Sequence, residues 1–462
     1  MTFKITTRSQ QHTKEPTVPW RVFREVLPYG PDGPDGLWQV LWNGKGGTNM
    51  ADFFQNGLVT TLHQLKRDVS SRLEDGLETL ATAAPIGLVL PALYSEFERP
   101  AMRGIVAELS RQRYLRRIVV ALGRANRGQF EHARSFFAGF ETPVTFLQVD
   151  HPRILALFHS IEREGFPMHE AGKGRSCWLA AGYLLARGDC DILAFHDCDI
   201  QEYRRSLLAR LCYPLAHPDL GFDYAKGYYA RVSNQLHGRV TRLMFSPLVR
   251  ALRGMAPELG YLEYLDSFRY ALSGEFAMKA SLALTCRMAA DWALEIEMLS
   301  EAYDRCGPSR VCQVDIVDNY EHKHQRLSAG DPAQGLRRMA TDIAKSLLRG
   351  VARRGAAFDA RRLGELEIRY ERLAREALRG YEADALVNGL DYDRHGETQA
   401  IRTFSLSLRE AGAAVLSSYG GGERLPGWEG VFDAAPRFRE ALLDAVAETD
   451  VSEVLPLRRL AG

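Results

Sequence analysis

Asp191-Ile-Leu-Ala-Phe-His-Asp-Cys-Asp-Ile200 decides the fold. Its apolar run is too short for a helix and fits a strand buried on both faces. The run then turns polar, with two carboxylates two residues apart at its carboxyl end. Upstream, Lys173 to Ala186 has helical spacing and is opened by Gly172-Lys-Gly174. Further upstream lie three more apolar runs: Ile86-Gly-Leu-Val-Leu90, Arg117-Ile-Val-Val-Ala-Leu122 and Val144-Thr-Phe-Leu-Gln-Val149. Helix-compatible segments, Ala101 to Arg111 and Gln129 to Phe137, separate them. Strands that alternate with helices predict an α/β protein with a mostly parallel, Rossmann-like open sheet. On such sheets ligands bind beyond the carboxyl ends of the strands. The residues just after Leu90, Leu122, Val149 and His196 are therefore where to look.

The flanks differ from this centre. Residues 1–49, with Pro28-Tyr-Gly-Pro-Asp-Gly-Pro-Asp-Gly36 and Asn43-Gly-Lys-Gly-Gly-Thr48, are dense in turn formers and read as a poorly ordered extension. Residues 50–84 read as an N-terminal helical segment, with Leu58, Leu62, Leu65 and Val69 at helical spacing up to about Ala81. Met50 is a second candidate for the start of translation. Residues 85–330 hold the strand–helix alternation. Residues 331–462 form a helical C-terminal region, rich in Arg, Leu, Ala and Glu from Pro332 to Ala411. The apolar stripes of that region call for cover, which predicts a homodimer.

Composition narrows the class. The chain has 462 residues, 46% hydrophobic and 25% charged, enough to bury a substantial core. Lys plus Arg number 59 against 58 Asp plus Glu, and no basic block stands out, which argues against a nucleic-acid partner. No stretch approaches the ~20 apolar residues of a membrane span, and the N-terminus lacks the apolar core of a secretion signal. Seven Cys without C-x-x-C spacing fit reduced thiols in a cytoplasm better than disulfides or a zinc site.

Several segments could carry chemistry. Asp197-Cys-Asp199 can share a divalent cation (Mg²⁺ or Mn²⁺) that in turn holds a diphosphate. About one D-x-D is expected by chance in a chain of this size; the sequence has three. Asp189-Cys-Asp191 precedes its strand, at the wrong edge, and Asp391-Tyr-Asp393 lies in the helical region. Only Asp197 and Asp199 sit at the ligand edge, where the alternative is a solvated turn. Cys198 between them reads as core-facing. Gly172-Lys173-Gly174 offers close backbone approach and a cation for phosphate, or is ordinary punctuation before a helix. Pro91-Ala-Leu-Tyr-Ser-Glu96 suits a base and ribose, or is a turn with Ser95 as N-cap. Asp291-Trp-Ala-Leu-Glu-Ile-Glu297 places Glu295 and Glu297 about 200° apart on a helix, so that one faces a pocket and the other is solvated. Asn319-Tyr-Glu-His-Lys-His-Gln325 follows the strand-like Val311 to Val317 and offers His322 as a third metal ligand. Gly238-Arg-Val-Thr-Arg242 joins cations and a hydroxyl suited to carboxylate or phosphate, or is a plain helix start.

In this order the segments resemble the A-type glycosyltransferase fold. The Gly-Arg-Val-Thr segment, Leu272-Ser-Gly-Glu-Phe276, Trp-x-x-Glu-Ile and the later His segment narrow the resemblance to glucosyl-3-phosphoglycerate synthases. These are retaining enzymes that move glucose from a nucleotide sugar to 3-phosphoglycerate. The resemblance covers residues 85–330 and implies a nucleotide-sugar glycosyltransferase domain there. It implies Pro91, Ala92, Leu93 and Glu96 at the uridine, Lys173 at the nucleotide, and Asp197, Gly274 and Glu275 at the donor sugar. It places Asp199 and His322 on the metal, and Gly238, Arg239, Thr241 and His324 at the acceptor. Glu295 and Asp197 take the catalytic positions. Two departures stand out: Trp292-Ala-Leu-Glu-Ile-Glu297 where Trp-Gly-x-Glu-Ile-Gly is expected, and His322-Lys-His324 where His-x-Asn is expected. Three rivals remain on this reading: a mannosyltransferase using GDP-mannose and (phospho)glycerate, a non-catalytic nucleotide-sugar-binding protein, and a sugar nucleotidyltransferase. The last needs a glycine- and basic-rich loop after strand one, which Pro91 to Glu96 is not.

Overall fold

The computed structural model describes residue 55 and residues 57–66, 70–168, 172–319, 326–417 and 424–452. The expected extension 1–49 and the candidate residues His322 and His324 lie outside this set.

The sheet has β1 (Thr60–Leu62), β2 (Ile86–Leu93), β3 (Leu115–Gly123), β4 (Val144–Gln148), β5 (Ile192–Phe195), β6 (Tyr224–Ala230) and β7 (Phe276–Lys279). A two-residue β8 (Met288–Ala289), then β9 (Val311–Asn319) and β10 (Arg424–Leu425), complete the strands among the described residues. The eight-stranded sheet runs β1-β9-β6-β7-β5-β2-β3-β4, and β10 pairs separately with β8. Only β7 runs antiparallel to its neighbours, β5 and β6; the other pairs in the sheet are parallel.

Strand periodicity divides the core in two. Val89, Val119, Ala121, Leu193 and Phe195 face one apolar cluster, with Phe158 and Trp178 from the overlying helices. Leu88, Leu90, Ile118, Val120, Ile192 and Ala194 face the other, against Leu77, Ile105, Phe130 and Leu208. Both faces are covered, which is why these strands read as continuous apolar runs. The helical region joins the first cluster rather than making its own: Ile343, Leu347, Leu366, Tyr370, Phe404 and Trp428 belong to it. All seven cysteines are free, and all but Cys306 are buried.

The expected helix from Met50 to Ala81 is corrected. The helix is Ser70–Leu80, and Thr60–Leu62 is an edge strand parallel to β9, with Thr60 opposite Cys312 and Leu62 opposite Val314. The three- and four-residue spacing of Leu58, Leu62 and Leu65 misleads because Leu58 and Leu65 are exposed, while Val59 and Thr61, two apart, are buried. Gln313 Nε2 donates to Thr61 Oγ1 at 2.9 Å and helps fix that register.

The C-terminal end is tied in through Trp428. Its ring stacks on Trp178 with centroids 3.9 Å apart, and both rings are fully buried. Each indole N–H has a backbone partner: Trp178 Nε1 donates to Pro426 O at 2.7 Å, and Trp428 Nε1 to Trp178 O at 2.9 Å. Trp428→Ala therefore leaves a large cavity and removes the ring stack, and should cost about 3–5 kcal/mol. A urea titration should show a lowered midpoint at unchanged slope.

Candidate active site

The crevice arises where β2 and β5 part. They pair only from Ile86 opposite Ile192 to Val89 opposite Phe195. Beyond that β2 stays paired with β3 as far as Leu93 opposite Gly123, longer than the strand expected to end at Leu90. Pro91 is tolerated because β5 has already ended on that side, so no ladder bond is lost there. Leu93, not Ser95, stands at the N-cap of the short helix Tyr94–Phe97 and makes no side-chain cap bond. Past β5 the side chains alternate. His196 and Cys198 are buried in the core, and Asp197 and Asp199 are partly exposed towards the crevice. Burial pulls the His196 imidazole down to about 3, so it is neutral. Burial also holds the Cys198 thiol well above its ordinary value.

Lys173 opens the helix Lys173–Arg187 and joins two of the expected carboxylates. Its Nζ lies 2.6 Å from Asp197 Oδ1 and 3.0 Å from Glu295 Oε1. Burial works against the ammonium, but Asp197 and then Glu295 outweigh it and hold the pKa well above the usual lysine value. The flanking glycines have a packing reason. A Cβ on Gly174 would sit 1.8 Å from Ala289 O. The helix start thus rests directly on the strand that leads into Glu295.

Gly274 is the second close approach. A Cβ there would lie 2.2 Å from Asp197 Oδ2, so the Ser273–Glu275 backbone rests on the carboxylate. Lys226, which the sequence reading did not single out, holds that backbone from behind. It is fully buried, and its Nζ donates to Ser273 O at 2.6 Å. Burial lowers it to about 8, against the pull of Glu295 and Glu275. Tyr229 Oη donates to Glu275 Oε2 at 2.8 Å. A lysine amid apolar Tyr224-Ala-Lys-Gly-Tyr-Tyr-Ala230 was the available signal, since a strand buried on both faces leaves no solvated side for a cation.

Carboxylates outnumber cations here. Burial, then the charges of Asp197 and Glu96, push Asp199 up to about 7, and Glu275 adds to this. Such an oxygen-rich, anionic pair suits a hard divalent cation. Among the described residues no group of three potential ligands forms; Asp197 and Asp199 are the donors present, and the expected third, His322, lies outside the described residues.

The Gly238–Thr241 segment connects to this cluster through aromatic side chains. Tyr229 meets Tyr270 edge to face at 5.0 Å. The Tyr270 hydroxyl accepts from Arg231 Nη1 at 3.0 Å and is within reach of the Thr241 hydroxyl. Gly238 has φ +73°, and a π-helix, Val240–Phe245, follows instead of a plain helix start. Such π-turns occur often at functional sites. Arg239 is not a free surface cation: its Nε donates to buried Glu397 Oε1 at 2.7 Å.

Other expectations change. Glu297, expected to be solvated, is buried; Ser346 Oγ donates to it at 2.8 Å and Arg353 Nη2 at 3.1 Å. It anchors the helix Gly335–Ala352. Asp189, at the far end of β5, pairs with Arg117 at 3.2 Å and Arg187 at 3.0 Å, a structural role. Asp391 accepts from Asn234 and is likewise structural.

No protein-family model matches the chain. The glucosyl-3-phosphoglycerate synthase of Persephonella marina is 44% identical over 399 residues, covering 86% of this chain and 99% of that relative. This chain belongs to the glucosyl-3-phosphoglycerate synthase family. The synthase of Methanococcoides burtonii is 35% identical over 414 residues, covering 87% of this chain and 98% of its own. Among solved structures, the Mycobacterium tuberculosis synthase with Mn²⁺, UDP-glucose and phosphoglyceric acid is 23% identical. It covers 65% of this chain and 89% of that one, with TM-score 0.48. Among the described residues of this family member no helix is long and apolar enough to cross a membrane. The eight-stranded sheet agrees with the A-type glycosyltransferase fold expected from the resemblance.

The raised Asp199 makes a pH prediction for this chain. Its protonated form favours folding, so its contribution is complete below about pH 4 and is lost as pH rises through about 7. In chelator, the wild-type melting temperature should fall relative to Asp199→Asn across that window. Added Mg²⁺ at pH 8 should raise it in the wild type and not in the variant.

Proposed function

We propose that this chain transfers glucose, with retention, from UDP-glucose to 3-phosphoglycerate, giving glucosyl-3-phosphoglycerate. The observation that carries the reading is Lys173 bridging Asp197 and Glu295 at the mouth of the crevice between β2 and β5, in a chain of this family. In this reading Pro91, Ala92, Leu93 and Glu96, on the extension of β2 and just after it, border the uridine. Gly274 and Glu275 form the floor under the sugar. Asp199, with Asp197 and His322, would hold Mg²⁺ or Mn²⁺, which when bound supplies Lewis-acid stabilisation of the charge left on the diphosphate. Lys173 adds a fixed cation to the same developing charge without reorganising during the reaction. Glu295, oriented by Lys173, positions or deprotonates the acceptor hydroxyl. Retention follows either from a covalent carboxylate intermediate or from same-face attack. Gly238, Arg239, Thr241 and His324 bind the acceptor.

A panel of nucleotide sugars with 3-phosphoglycerate and Mg²⁺, scored by nucleoside diphosphate release, tests the reading. UDP-glucose should be preferred; preference for GDP-mannose, or binding without turnover, overturns it. Arg239→Ala should raise the acceptor KM by roughly tenfold or more, since a lost charged hydrogen bond costs about 1.5–3 kcal/mol, and leave the donor KM nearly unchanged.

The reading also places the chain in a cytoplasm, which its free cysteines support, and makes it a homodimer. Ile368, Leu386 and Val387 on the helix Ala360–Val387 are exposed apolar residues that a second copy would cover. Light scattering at micromolar concentration should give twice the chain mass; a monomer removes the dimer.

A further inference from the structure

We propose that Glu397, from the helical C-terminal region, is the positioning residue of the acceptor site, holding Arg239 by its Nε edge so that the rest of the guanidinium meets an acceptor phosphate or carboxylate. The proposal rests on the reading of Gly238–Thr241 as the acceptor segment.

Glu397 lies in the first turn of the helix Arg394–Ser417, where the helix dipole favours a carboxylate. It is 3% exposed. A buried carboxylate is tolerated only when paired and hydrogen-bonded, and two arginines of the π-helical segment supply this. Arg242 Nη1 donates to Glu397 Oε2 at 3.0 Å and Arg242 Nη2 to Oε1 at 3.3 Å. Arg239 Nε donates to Oε1 at 2.7 Å.

The two arginines are not equivalent. Arg242 is buried and used on every side: Nε donates to His237 O at 2.8 Å, Nη2 also to Leu236 O at 3.3 Å, and the guanidinium lies 4.8 Å from the Tyr381 ring centre. Its charge answers that of Glu397. Two guanidiniums against one carboxylate leave one positive charge, and it resides on Arg239, whose side chain is 32% exposed against 9% for Arg242. The bond to Glu397 uses only Nε. The terminal Nη pair is the fork that matches phosphate or carboxylate oxygens. An arginine held this way has lost much of its rotamer freedom before the acceptor arrives, which favours binding.

A clamp that merely fastened the helical region would make the same contacts. That fastening already exists elsewhere: Asp391 N–H donates to Asn234 O at 2.8 Å, and Tyr370 Oη to Leu243 O at 2.9 Å. The two roles differ in kinetics. In the full chain, Glu397→Gln should raise the acceptor KM by about three- to tenfold and leave the donor KM within about twofold. In an Arg239→Ala background the same change should have no further effect on acceptor KM, because coupled residues are non-additive. An unchanged acceptor KM in the single variant, or an equal rise in both backgrounds, overturns the proposal in favour of a clamp. If Arg239→Ala alone leaves acceptor KM unchanged, the acceptor-site reading itself fails. Should Glu397→Gln not fold, Glu397→Asp keeps the charge opposite Arg242 but draws it back from Arg239, and the same rise and the same non-additivity are expected.

Discussion

One ammonium group organises the site. Lys173 reaches it from the first turn of a buried helix, Asp197 from the end of β5 and Glu295 from the helix Leu294–Arg305. Each carboxylate alone would be costly to seat among its acidic neighbours. The lysine makes the arrangement tolerable and also ties together three elements far apart in sequence. Its own position depends on Gly174, which lets the helix start touch the backbone at Ala289. The sheet sets the crevice; this contact sets what faces it.

The helical region extends this logic. It fills the first core cluster, supplies Ser346 and Arg353 to Glu297, and supplies Glu397 to Arg239 and Arg242. The glutamate at 297, a departure from the expected glycine, therefore has a local partner set in the helix Gly335–Ala352. What looks like an appendage in the sequence is part of the wall behind the site.

Much of this was legible in the sequence, for a physical reason. Strands covered on both faces must be apolar throughout, so β2, β3, β4 and β5 stand out, and the place where β5 turns polar marks the ligand edge. Asp197 and Asp199 follow from position on that edge, whereas Lys173 and Glu295 stand out only through the resemblance to the family. Other features left no local trace. β7 is a four-residue antiparallel insertion whose direction no short pattern encodes. β1 hid behind leucines at helical spacing. Lys226 and Glu397 are charges that look solvated until their partners, Ser273 O and the two arginines, are known. Those partners lie 47 residues away for Lys226 and 155 and 158 for Glu397, beyond the reach of any motif.

The cysteines carry a last consequence. Burial raises the thiols of Cys177 and Cys190 to about 12 and that of Cys306 to about 11, and raises Cys198, Cys212, Cys286 and Cys312 as well. Almost no thiolate exists at neutral pH, and thiolate is the form that reacts with peroxides and alkylating agents. Burial and the suppressed thiolate together make these seven thiols poor nucleophiles in the folded chain.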